Sequence, residues 1–158
     1  MNLHTLHHMA QLLRLRSLRE DQAQQAWQQA RAQLDQATQA LLQLQHQQAG
    51  ERCQRQALLA WLAGTGAPEL PRVAPQAGAR LAALDESLER LEYALIDADA
   101  ALQRAQQAAQ ATRSAWLREQ GRHQAVQQLA EQARQRWGQL LTQRQEREQA
   151  APRARAWP

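Results

Sequence analysis

Phenylalanine and lysine do not occur in this chain of 158 residues, and tyrosine and cysteine occur once each, at Tyr93 and Cys53. A lone cysteine excludes an internal disulfide. The β-branched aliphatics reduce to Val73, Val126 and Ile96, too few to cover the face of a sheet. No apolar run approaches the roughly twenty residues of a membrane span. The opening segment is broken by His4, His7, His8 and Gln11, so it lacks the apolar stretch of a secretory leader, and a cytoplasmic protein is expected. A glycine-rich phosphate loop and the HExxH zinc motif are both missing. Without lysine, every one of the nineteen basic residues is arginine, which raises the computed pI to 10.8 while the net charge is only +4. That excess is too small to imply nucleic acid by itself.

What remains is a composition of Ala, Leu, Gln, Arg and Glu, with thirty glutamines. All five are good helix formers, and an all-α fold follows. The order of the residues is more telling. From Leu81 onward an apolar or small residue returns every three or four positions: Leu84, Leu88, Leu91, Leu95, Ala98, Leu102, Ala105, Ala109, Thr112 and Trp116, then Val126, Ala130, Ala133, Trp137 and Leu140 after a polar break. A seven-residue repeat sustained this long belongs to a helix wound against another helix. The first third carries a matching seam through Leu6, Met9, Leu13, Ala23, Trp27, Ala30, Leu34, Ala37, Leu41 and Leu44, interrupted by Arg16 and Glu20. Past Leu44 the pattern reads as a phase slip, with Gln48 and Glu51 on the old stripe and Ala49, Cys53, Ala57 and Ala60 on a shifted one.

Gly64, Gly66, Pro68, Pro71, Pro75 and Gly78 crowd the stretch between the two seams. Glycine ends helices and proline resists their continuation, so the expected order is a helix at about 3–63, a loop at about 64–78 and a helix at about 79–150. Pro152 is expected to stop that helix, and residues 151–158 read as a flexible basic tail. The expected architecture is a long antiparallel two-helix coiled-coil hairpin, one domain over residues 1–150. At ~1.5 Å per residue each helix would be about 90 Å long, a rod or lever. Folding at the loop pairs residues whose numbers sum to about 143. Trp27 then meets Trp116, Leu34 meets Ala109, Leu41 meets Leu102, Leu6 meets Trp137, and Glu20 meets His123, so both seams turn polar at one height.

Two features lie off the seam. Arg14, Arg16 and Arg19 start the first helix, and Arg134, Arg136, Arg144, Arg147, Arg153 and Arg155 end the second. In a hairpin these converge on the open end, while Asp85, Glu86, Glu89, Glu92, Asp97 and Asp99 lie toward the loop end. Leu12, Leu15 and Leu18 make the first helix apolar nearly all round at the open end, a pattern that asks for burial by something outside the hairpin. Tyr93 and Ile96 stand one turn apart on an outward face among the acids, with Glu89 and Glu92 beside them, as a second contact patch. Trp61 is expected to pack on the loop. Neither the histidines nor Cys53 has the neighbours needed for a metal shell or a nucleophile. No catalysis, cofactor, metal or small-molecule substrate is expected.

A hairpin of this length, opening with Leu12-Leu13-Arg14-Leu15-Arg16-Ser17-Leu18-Arg19-Glu20-Asp21-Gln22-Ala23, resembles the stalk proteins of type III secretion systems, the YscO/SctO proteins of injectisomes and the flagellar FliJ. The resemblance implies a cytoplasmic, non-enzymatic stalk, peripheral to the inner-membrane secretion apparatus. Its paired helix ends would enter the pore of the hexameric secretion ATPase. Its other part would reach the cytoplasmic ring of the export gate, with secretion chaperones as further partners. A basic coiled-coil nucleic-acid binder is the alternative, and a chaperone gripping clients between helix tips is a third reading.

Overall fold

The computed structural model describes residues 3–154, with side chains over 7–69 and 71–149. Helix α1 covers Leu3–Ala63, a single 3-10 turn covers Ala67–Glu69, and helix α2 covers Leu70–Ala154. No strand occurs among the described residues. The two helices pack against each other as an all-α helical hairpin. Contacts divide it into one unit of Met1–Trp27 with Ala111–Pro158 and a second of Gln28–Gln110.

In the first unit the half-buried positions of α1 are Met9, Leu13, Arg16, Ser17, Glu20, Ala23, Gln24 and Trp27. α2 presents Thr112, Ala115, Trp116, Glu119, Gln120, His123, Val126 and Trp137 at similar depth, with Ala130 and Ala133 buried. The register expected from the sequence holds here. Trp27 and Trp116 stack with ring centroids 5.0 Å apart and planes 2° from parallel. Two turns toward the chain start, His123 Nδ1 donates to Glu20 Oε2 at 2.5 Å. Leu140, read as the last seam residue, is 52% exposed. The side chain of Leu6, the expected partner of Trp137, lies outside the described ones.

In the second unit the seam of α1 keeps its phase. Leu34, Ala37, Leu41, Leu44, Gln48, Glu51, Arg55, Leu58 and Leu62 are half-buried in unbroken three-and-four steps, whereas Ala49, Cys53, Ala57 and Ala60 are exposed. The slip expected after Leu44 does not occur. Two leucines, Leu58 and Leu62, sit on the original stripe, and burying a leucine is worth far more than burying an alanine. Of the polar seam residues, Arg55 is accommodated by an ion pair, its Nε donating to Asp85 Oδ1 at 2.6 Å, whereas Glu51 keeps Oε2 buried without a hydrogen-bond partner. The facing seam of α2 is Leu81, Leu84, Leu88, Leu91, Leu95, Ala98, Leu102, Ala105 and Ala109, with Leu84 buried to 4% exposure.

The connection is shorter than the prolines suggest. α2 starts at Leu70 rather than near Ala79, and the turn is confined to Gly64–Glu69. Pro71 falls in the first helical turn, where its missing N–H would have no acceptor. Pro75 costs one backbone bond, but the turn that carries it also brings Val73 to half burial and buries Ala77. At the other end α2 runs through Pro152 to Ala154. The proposed tail therefore begins within the helix, and residues 155–158 lie outside the described ones.

Backbone bonds close the turn: Gly64 N–H reaches Ala60 O at 3.0 Å, Gly66 N–H reaches Trp61 O at 2.8 Å, and Glu69 N–H reaches Gly66 O at 3.0 Å. Trp61 packs on the loop as expected, its ring lying over Gly66 so closely that a Cβ there would stand 2.6 Å from the indole. No described glycine has positive φ, so Gly66 is required for space. Gly66→Ala should destabilise the hairpin by about 1–3 kcal/mol, the usual range for overpacking, readable as an earlier urea midpoint. Trp61→Ala in the same chain should return part of the loss, because it removes the clashing ring.

Candidate functional site: an arginine and leucine surface on the first unit

The α1 segment from Leu12 to Arg19 holds its seam face, Leu13 and Arg16, against α2. A period of 3.6 residues then carries Leu12, Leu15 and Leu18 progressively around to the back of the helix. They are 41%, 45% and 52% exposed. Their neighbours on that surface are Arg14 and Arg19, both exposed and without an ion pair among the described residues. From α2 come the exposed Arg134, Arg136 and Arg147, likewise without an ion pair, and Arg144, whose Nε donates to Glu148 Oε1 at 3.2 Å.

The fold brings part of this set together. Arg14 and Arg134 line one open depression of about 370 Å³ that also includes Leu13, Ser17, His123, Gln127, Ala130 and Glu131. Arg144 and Arg147 line a second of about 400 Å³ with Trp137, Leu140 and Leu141. Both are wide depressions on a helical surface, and neither encloses a ligand.

Arg16 does not belong to this surface. It is turned into the seam, where its Nη1 lies 3.5 Å from Glu119 Oε2, with side chains 23% and 19% exposed. Arg122 Nη1 donates to the other oxygen of Glu119 at 2.6 Å. Arg16, counted with Arg14 and Arg19 among the open-end arginines of the docking set although it interrupts the seam, is thus taken out of that set: two residues after Arg14, the helix has rotated by about 200° and faces the partner helix. Glu119, unremarked in the sequence, could have been found there, because it stands three residues after Trp116 on the same seven-residue repeat.

The second proposed patch lies on the other unit. Tyr93 and Ile96 are 65% and 66% exposed, the two most exposed large apolar side chains among those described. Glu89 stands one turn before Tyr93, and Asp97 one turn after it. Neither carboxylate has an ion pair among the described residues, whereas Glu92 lies 3.8 Å from Arg52. Glu89 and Glu92 line a depression with Arg52, Arg55 and Asp85.

Near the chain start the His7 and His8 rings lie 6.4 Å apart, edge to face. His4 has no described side chain. No group of three or more His, Cys, Asp or Glu gathers among the described residues, and none of the described helices is long and apolar enough to cross a membrane.

Fold and surfaces together define the class: a helical hairpin with one arginine and leucine surface and one acidic, aromatic-centred patch. Comparison with protein-family models, with curated proteins and with solved structures finds no match to this chain.

Proposed function

We propose that this chain is a stalk protein of a type III secretion system, an interaction protein with no catalytic activity of its own. The observation that carries the reading is the joining of exposed Leu12, Leu15 and Leu18 with the unpaired Arg14, Arg19, Arg134 and Arg136 on one unit. A surface of that kind suits a partner with an apolar socket and an acidic rim, such as the pore of the hexameric secretion ATPase. Apolar anchors would supply affinity, and the arginines would supply orientation and encounter rate. By favouring some subunit conformations over others, the docked hairpin would alter turnover in the ring. The patch of Tyr93, Ile96, Glu89 and Glu92 is available to a second partner, the export-gate ring or a secretion chaperone, and the protein would act at the cytoplasmic side of the apparatus.

The test is ATPase turnover with increasing amounts of this protein. Saturable stimulation is expected. Leu15→Asp with Arg19→Glu and Arg134→Glu should raise the half-saturating concentration about tenfold or more, equivalent to roughly 1.4 kcal/mol of association. Helicity should not change, because all three side chains are exposed. Unaltered stimulation by that variant removes the docking surface. A nucleic-acid binder would use the same arginines on phosphates, and its affinity would fall steeply with salt in proportion to the phosphates neutralised. Tight, strongly salt-dependent binding to DNA or RNA without ATPase stimulation would replace the stalk reading with that one.

A further inference from the structure

The two units differ in charge as well as in surface chemistry. The unit formed by Met1–Trp27 and Ala111–Pro158 holds twelve arginines against six carboxylates, and the unit Gln28–Gln110 holds seven against nine. On the first, the exposed leucines are accompanied by arginines without counter-ions. On the second, Tyr93 and Ile96 are flanked by Glu89 and Asp97, carboxylates without counter-ions. Each surface therefore has what the other needs: apolar side chains to be covered, and unpaired charge of the opposite sign around them.

We propose that the two surfaces are partners for each other between copies of this chain. The Leu12–Leu15–Leu18 surface of one copy docks on the Tyr93/Ile96 patch of the next, Arg14 and Arg19 pairing with Glu89 and Asp97. The contact is heterologous, since two different patches meet, so each copy of a pair retains one free surface and the pair as a whole retains one of each kind. Association grows stepwise with concentration and is weakened by salt, because exposed charge pairs are screened. The inference does not rest on the secretion reading. If both hold, self-association covers the docking surface until the ATPase displaces the second copy.

Sedimentation velocity on the full chain tests it with two variants, each altered only at exposed positions. Leu15→Asp/Arg19→Glu spoils the first surface, and Tyr93→Asp/Ile96→Asp spoils the second, so that both spoiled surfaces are acidic and cannot pair with each other. The wild-type chain should associate progressively as concentration rises to about 1 mM, the weak limit of a specific contact. Raising salt from about 0.05 M to about 0.5 M should reverse it. Each variant alone should remain monomeric. Mixed in equal amounts they should form a dimer and nothing larger, since only one intact surface of each kind is left. A wild-type chain that stays monomeric throughout overturns the proposal. So does a variant that still associates like wild type, or a mixture that stays monomeric while the wild type associates. Should either variant lose helicity, Leu18→Ala and Tyr93→Ala, which introduce no charge, replace it with the same expected pattern in weaker form.

Discussion

Leu84→Ala should lower the stability of the hairpin by about 2–5 kcal/mol, the range for truncating a buried leucine. Leu84 is 4% exposed, and the other buried apolar residues described are Ala30, Ala77, Ala130 and Ala133. The other buried side chains described are alanines and the remaining seam leucines are at most half-buried, so Leu84 is the largest side chain among the buried ones. A two-helix packing leaves every side chain open on one side or another, and no described side chain is fully buried. Against a total stability of about 5–15 kcal/mol for ordinary domains, the loss is large. Urea unfolding followed by circular dichroism measures it. A change below about 0.5 kcal/mol, the scale of surface substitutions, would mean that Leu84 is not held against α1 in solution.

The second large effect concerns the polar layer of the first unit. Arg16→Glu should cost about 1–3 kcal/mol, less than the roughly 3–5 of a fully buried pair because water still reaches about a fifth of each side chain. The substitution places a carboxylate against Glu119 and one turn from Glu20 on the same seam, where both like charges are partly desolvated. Adding Glu119→Arg should recover a portion of the loss. Recovery will be incomplete, because the new arginine stands next to Arg122, which now pairs with Glu119 at 2.6 Å. The coupling read from the double-mutant cycle isolates the pair. A cycle with no coupling would place Arg16 in solvent, out in front with Arg14 and Arg19, and would return it to the docking surface. For the same reason the ATPase test leaves Arg16 untouched, so that lost stimulation cannot be traced to a weakened seam.

Much of the hairpin can be read without coordinates, and the reason is particular. A strict seven-residue repeat on each side of a single glycine-rich break leaves one way to bury both stripes within one chain, and the break then sets the register. Trp27 with Trp116 and Glu20 with His123 follow from that alone. The off-seam positions of Leu12, Leu15, Leu18, Tyr93 and Ile96 follow from the same periodicity, and their exposure agrees. The departure of the first seam from the simple apolar pattern has a single cause as well. Ala49, Cys53, Ala57 and Ala60 resembled a seam because they are small or apolar at the right spacing. Gln48, Glu51 and Arg55 looked unsuitable for one because they are polar.

The sequence by itself determined the all-helical class, the first stripe as far as Leu44 and the second from Leu81 to Trp137, the point near Gly64 where the first helix ends, and the identity of facing residues around Trp27 and Glu20. These depend on period and spacing, which are local properties of a chain. Only the tertiary structure decided that Arg16 faces Glu119, that Arg55 reaches Asp85 from within the seam, and that α2 begins before Pro71 and Pro75. Each of those outcomes weighs a local penalty against what the facing helix offers: a carboxylate for an arginine, or burial of Val73 and Ala77 for a lost backbone bond. That comparison has no value until both helices are in place.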